Sequence, residues 1–219
     1  MVAAYNEAPV IGGVVAELRS SFGHVVVVDD GSDDGTAARA REAGAIVLQH
    51  PLNRGQGAAL QTGFDYCLAR GARYVVTFDA DGQHRTGDIA MLLEPLRSGR
   101  ADFALGSRFK GTAVDMPLSR RWVLSMGVLF TRLVSGARLS DTHNGLRAFS
   151  RRALSQVQLT QDRMAHASEL IDQIARSGLP YVEVPVTIHY TAYSRAKGQR
   201  MSASLKIMAD YLSRRILGT

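Results

Sequence analysis

A chain of 219 residues can bury one substantial core, so a single domain over 1–219 is expected. Hydrophobic residues at 46% and charged residues at 21% exclude a disordered chain, and no apolar run approaches the roughly 18 residues of a membrane-spanning helix. Basic residues exceed acidic ones, 26 − 20 = +6, which predicts an anionic partner, while 7% aromatics and no helix-turn-helix, zinc or RNA-binding signature argue against nucleic acid.

The first apolar stretch, Val2-Ala3-Ala4-Tyr5, reads as a strand, and its brevity predicts a few leading residues ahead of it. Val10, Ile11, Val14, Val15 and Leu18 then share one helical face, with Pro9 suited to the first turn. Val25 to Val28 is a second strand, followed by a helix with Ser32 and Asp33 as cap candidates and Gly44 at its end. Ala45 to Leu48 is a third strand, and a helix from about Gly57 to Arg70 stops at Gly71. That helix carries Cys67, the single cysteine, which forms no internal disulfide and is expected as a buried, inert thiol in a reducing, cytoplasmic compartment. No N-terminal run has the pattern of a signal peptide. Tyr74 to Phe78, a helix from near Thr86 to Gly99, and Phe103 to Leu105 complete the alternation.

Such short apolar runs are expected of strands covered on both faces of a parallel sheet. Four strand–helix alternations predict an α/β sandwich whose ligands bind beyond the carboxyl ends of the strands. After Arg108 the alternation fails, and a long helical pattern from Pro117 to Ser135 precedes mixed elements and a final strand near Tyr181 to Ile188.

Three polar clusters fall where successive strands should end: Tyr5-Asn6-Glu7, Asp29-Asp30-Gly31-Ser32 and Asp79-Ala80-Asp81-Gly82-Gln83. Aspartate is common in turns and caps, so one such pair says little. Two pairs after hydrophobic strands converge on one edge of the sheet, where carboxylates two residues apart reach a hard cation that shares its oxygens with substrate phosphates. Asp79, Asp81 and the neutral oxygen of Gln83 are the candidate metal ligands, and the six histidines show no metal-ligand spacing.

Ala4-Tyr5-Asn6-Glu7, Val28-Asp29-Asp30-Gly31-Ser32, Asn53-Arg54-Gly55-Gln56-Gly57 and Asp79-Ala80-Asp81-Gly82-Gln83 resemble glycosyltransferase family 2 in content, order and spacing. Gly106-Ser107-Arg108-Phe109 and Asp141-Thr142-His143-Asn144-Gly145-Leu146-Arg147 resemble its dolichyl-phosphate mannose synthase-like, polyprenyl-phosphate glycosyltransferase branch. The resemblance covers nearly the whole chain. It implies a GT-A fold, a Rossmann-like nucleotide-binding sandwich with a mostly parallel central sheet and helices on both faces. It also implies an inverting hexose transfer from a GDP- or UDP-sugar that requires Mg²⁺ or Mn²⁺. Residues 1–108 would form the nucleotide-sugar half, and 109–219 the acceptor half with a C-terminal amphipathic helix.

Carried over by position, Ala4, Tyr5, Glu7 and Asp30 line the nucleotide pocket, with the Asp30 carboxylate available to base or ribose donors. Asp79 and Asp81 are the catalytic carboxylates. The Asn53 to Gly57 loop approaches the nucleotide, with Gln56 where many relatives carry lysine. Arg195 and Lys197 belong to a basic segment that closes over the donor diphosphate, with Arg200 where relatives often have serine. Arg108, Arg121 and Ser125 resemble the residues that grip a lipid phosphate, and Arg121 and Ser125 share a helix face.

An ionised phosphate acceptor needs no proton removed, whereas a sugar or lipid hydroxyl calls for a general base, for which Asp141, His143, His166 and Glu169 are candidates. Each also has an ordinary place in a cap, turn or structural hydrogen bond. The Pro117 to Ser135 stretch and the tail with Leu205, Ile207, Met208, Tyr211, Leu212 and Ile216 are basic and amphipathic, suited either to core packing or to a bilayer surface. The expected partners are therefore a nucleotide-sugar donor, a polyprenyl-phosphate acceptor and the cytoplasmic face of a membrane, bound peripherally. The rivals are transfer to a hydroxyl and a non-catalytic nucleotide-binding scaffold.

Overall fold

The computed structural model describes residues 1–117, 121–122, 124–126, 128, 139–161, 165–191 and 193. Its first half alternates β1 (Val2–Ala4), α1 (Ala8–Ser21), β2 (Val26–Asp29), α2 (Thr36–Glu42), β3 (Ile46–Gln49), α3 (Gln56–Ala69), β4 (Tyr74–Asp79) and α4 (Asp88–Arg97). Helix α1 carries Pro9 in its first turn and buries Ala8, Ile11, Val14, Val15 and Leu18 at the spacing of one face, while Val10 lies off that stripe. Helix α2 begins later than its cap candidates, at Thr36 after the left-handed Gly35. Instead, Ser32 Oγ accepts from Asn6 N–H and donates to Asp29 Oδ1, and Asp33 N–H donates to Asn6 Oδ1 at the β1 end.

The later elements are β5 (Phe103–Val114), β6 (Arg147–Ser150), α5 (Arg151–Leu154), α6 (His166–Arg176) and β7 (Tyr181–His189). All seven strands join one sheet in the order β3-β2-β1-β4-β6-β5-β7. β1 to β4 are parallel where they pair, and β5 is parallel to β7. Only β6 runs antiparallel, to both β4 and β5, so the expected mostly parallel sheet holds with one reversed strand. β2 is buried throughout, as a strand covered on both faces should be, but β3 is not. It is an edge strand, which leaves Ile46 41% exposed. β5 continues past the apolar Phe103–Leu105 because β7 pairs along it as far as Val114, so position 108 falls inside a strand.

Alternation along the strands divides the interior into two clusters, as a two-residue period requires. Val25, Val27 and Ala104 pack with Ile11, Val15 and Leu92 on the α1 and α4 side. Val26, Phe103 and Leu105 pack with Phe64, Leu154, Leu170 and Ile171 on the α3, α5 and α6 side. Cys67 is buried in the second cluster, and burial pushes its thiol up, as an inert core cysteine requires. Of the Pro117 to Ser135 pattern, residues 121, 122, 124–126 and 128 are helical. Residues 118–120, 123, 127 and 129–135 of that pattern, Arg195, Lys197, Arg200 and the tail from Leu205 lie outside the described residues.

Candidate active site

The order β2-β1-β4 places the three polar clusters side by side. Ala4 is in register with Asp29, and Ala3 with Asp79, so all three chains leave the sheet at one edge. Asn6 turns there with a left-handed φ of 54°. Helix α1 does not cap itself; its first amides are met by the loop after β2. Asn6 N–H donates to Ser32 Oγ at 2.9 Å, Glu7 N–H to Thr36 Oγ1 at 2.8 Å and Ala8 N–H to Asp34 Oδ2 at 3.0 Å. Glu7 is thereby held nearly buried at the cleft, and Tyr193 OH donates to its Oε2 at 2.8 Å.

Asp30, expected to face base or ribose donors, is only 2% exposed. Its Oδ1 lies 2.7 Å from His50 Nδ1 and accepts from Arg54 N–H at 3.0 Å, and its Oδ2 accepts from Gly55 N–H at 2.6 Å. His50 is braced in turn by Thr62 Oγ1 at 2.9 Å. The carboxylate thus shapes the Asn53–Gly57 loop rather than standing open to solvent. At Gly31, where φ is 74°, a Cβ would collide with the Leu52 backbone, so glycine is required for the two loops to touch.

The Asp79-Ala80-Asp81 turn is the centre of the cleft. Gln83 donates to Asp81 twice, from its backbone N–H to Oδ1 at 3.1 Å and from Nε2 to Oδ2 at 2.6 Å. Burial and the neighbouring Asp79 charge push Asp81 up to about 6. Burial also works on Asp79, but the His84 hydrogen bond and the positive charges of Arg147 and Arg108 outweigh it and hold that carboxyl low. Behind Asp79, Thr77 Oγ1 donates to Gly145 O at 2.6 Å, and a Cβ on Gly145 would overlap the Asp79 carboxylate.

Two carboxylates that repel each other, with the Oε1 of Gln83 as the amide atom not bonded to Asp81, suit a divalent cation. Among the described residues no group of three or more His, Cys, Asp or Glu is arranged to hold a metal by itself. A cation here would therefore complete its shell with substrate oxygens, which is how Mg²⁺ is usually held beside phosphates.

On β5, Arg108 is buried, donating to Asp141 Oδ2 from its backbone N–H at 3.1 Å and from Nε at 2.6 Å, and from Nη1 to Tyr190 OH at 2.7 Å. Nη2 is the nitrogen outside these bonds. Arg121 and Ser125 are exposed on their helical segment. Arg147, not singled out from the sequence, is 4% exposed, and among the described residues its guanidinium makes a single long hydrogen bond, Nη2 to Thr142 O at 3.3 Å.

The candidate bases are engaged elsewhere. Asp141 serves Arg108 and the His143 N–H, and Glu169 receives the Thr160 N–H and hydroxyl and the Gln161 N–H. His143 contacts Thr142 Oγ1 and is held low, by burial first. His166 is buried at the start of α6.

Residues 1–158 match the family model described as Glycosyl transferase family 2. The chain belongs to glycosyl transferase family 2. It is 34% identical over 230 residues to the UDP-N-acetylglucosamine–dolichyl-phosphate N-acetylglucosaminyltransferase of Methanococcus voltae, covering 94% of this chain and 91% of that protein. It is 33% identical over 201 residues to the polyprenol monophosphomannose synthase of Mycolicibacterium smegmatis, covering 85% and 75%. Among solved structures, glucosyl-3-phosphoglycerate synthase from Mycobacterium tuberculosis, in complex with Mn²⁺ and uridine-diphosphate-glucose, matches with a TM-score of 0.74 and 21% identity over 99% of this chain and 76% of that one. The fold is accordingly GT-A, and the protein is a glycosyltransferase of the branch that the sequence motifs resemble.

Within this family 2 site, the structure adds four side chains that the motifs did not mark: His50, His84, Arg147 and Tyr190. Arg147 ends a quoted motif and His84 directly follows one, which is the only sequence signal they give. His50 and Tyr190 reach partners 20 and 82 positions away, Asp30 and Arg108, so only the fold reveals them.

Proposed function

We propose that this glycosyltransferase moves a hexose from a GDP- or UDP-sugar to a polyprenyl phosphate, peripherally bound at the cytoplasmic face of a membrane. The observation that carries the reading is that two buried arginines, Arg108 and Arg147, lie close enough for their charges to act on Asp79, beside Asp81 at the sheet edge. The carboxylates suit a cation bound to diphosphate, and the neighbouring guanidinium groups suit a phosphate acceptor. The names of the Methanococcus and Mycolicibacterium relatives point the same way.

Asp79, Asp81 and Gln83 would hold Mg²⁺ or Mn²⁺, which when bound would supply Lewis-acid stabilisation to a departing nucleoside diphosphate. Ala4, Tyr5 and Glu7 border the nucleotide, Asp30 sets the loop beside it, and Arg195 and Lys197 are assigned to the diphosphate. Arg108, Arg121 and Ser125 are assigned to the acceptor phosphate, whose oxygen attacks the anomeric carbon as the sugar–phosphate bond breaks on the opposite face. No proton has to be removed, which agrees with a site whose carboxylates and imidazoles are already engaged. Exposed Trp122 and Met126, four residues apart beside exposed Arg121, support contact with a lipid surface. No helix among the described residues is long and apolar enough to cross a membrane.

The test is transfer of radiolabelled sugar from GDP-mannose, UDP-glucose or UDP-N-acetylglucosamine to undecaprenyl phosphate with Mn²⁺. Product is expected in an acid-labile lipid fraction, and Asp79→Ala or Asp81→Ala should abolish it. Label in an acid-stable glycoside would indicate a hydroxyl acceptor, and full activity of both variants in chelator would overturn the site. Nucleotide binding without turnover on any acceptor would favour a scaffold.

A further inference from the structure

The Asp79 carboxylate lies between two neighbours, Gly145 and His84. Its flat side rests on Gly145, where a Cβ would overlap it, and its Oδ2 lies 2.8 Å from His84 Nε2. The imidazole itself is fixed from outside the cleft. His84 is 7% exposed, its ring stands edge-on to Phe78 with centroids 5.4 Å apart, and its backbone bridges to Ile188 of β7. The preceding carbonyl, Gln83 O, accepts from His189 N–H at 2.9 Å.

The other ring nitrogen, Nδ1, is buried and has no hydrogen-bond partner among the described residues. A proton on Nδ1 would leave an unpaired buried donor, so the tautomer that fits carries it on Nε2 and donates it to Asp79. Packing against Phe78 would be met equally well by an apolar side chain. Among the described residues, the one polar interaction this imidazole makes is with Asp79, whose side chain is still 33% exposed.

We infer that His84 is a positioning residue, which holds Asp79 Oδ2 so that the carboxylate keeps one orientation on Gly145 and presents its remaining lone pairs to the ligand. A carboxylate already fixed gives up no rotamer freedom when its ligand arrives, as with the outer partners that orient metal ligands. The inference rests on reading Asp79 as a ligand of the cation and donor.

The experiment compares wild type, His84→Leu and His84→Gln by three measurements: the Asp79 orientation in cation-free crystals, Mn²⁺ affinity in the presence of UDP, and the thermal midpoint in EDTA. Leucine is expected to release Asp79 from its single orientation and to weaken Mn²⁺ binding about 10- to 100-fold, the range seen for such outer partners. Glutamine, which still donates, should recover most of that affinity. The midpoint of His84→Leu in EDTA should equal or exceed that of wild type, because an unpaired buried nitrogen is removed. An unchanged Asp79 orientation with wild-type Mn²⁺ affinity in His84→Leu overturns the inference, as does equal impairment of both variants. If wild type binds no Mn²⁺ with UDP but Asp79 still swings free in His84→Leu, the functional reading fails while the positioning role stands.

Discussion

Asp81 is a residue held at a cost. Its folded pKa of about 6 lies above the 3.8 of an unfolded aspartate, so the stability it contributes is complete below pH 4 and is lost as pH rises through 6. At neutral pH this amounts to about 3 kcal/mol at most. In EDTA at pH 7, Asp81→Asn should therefore be more stable than wild type by urea unfolding, and the gap should close as pH falls to 4. Equal stability at pH 7 would show that the two carboxylates do not strain each other. Gly145 makes the opposite case, because it matters for what it lacks. Gly145→Ala should displace the Asp79 carboxylate and lower transfer by about 100-fold, the usual effect of a 1 Å misplacement. An alanine variant with wild-type kcat would show that the carboxylate tolerates the shift.

Among the elements, α3 links the core to the donor loop. Phe64 is fully buried against Phe149, ring centroids 5.3 Å apart, so Phe64→Ala should cost about 3–5 kcal/mol in denaturant unfolding. A cost under about 1 kcal/mol would mean that the second core cluster collapses around the gap. The strands that carry the site were legible because each is an apolar run ended by aspartates, as in Val26–Asp29 and Tyr74–Asp79. β6 was not, because four residues beginning with arginine show no period, and only its place between β4 and β5 makes them a strand. The polar continuation of β5 was hidden for a similar reason. Its Ser107 and Arg108 are buried by partners from distant segments, Ser140, Asp141 and Tyr190. The carboxylate half of the site could thus be read locally, whereas the arginine half depends on contacts made by the fold.

For the whole molecule, a formal charge of +6 and the exposed Trp122 predict salt-sensitive docking on anionic lipid. Trp122 is the single tryptophan, so its emission should shift to the blue on vesicles containing phosphatidylglycerol, and the shift should fade as salt rises. No shift at low salt would remove the membrane from the proposal. The reversed strand has a larger consequence. β6 comes from the later half of the chain yet lies against β4, whose last residue is Asp79, and β5 is shared across position 108. The parts proposed for donor and acceptor are therefore knitted into a single hydrogen-bonded fabric. Exchanging the later half with that of a relative, to import a new acceptor preference, would re-tailor the wall behind Asp79 as well. Chimeras cut at the midpoint should lose donor handling along with acceptor choice, so acceptor specificity is better re-engineered from the surface helix inward than by swapping halves.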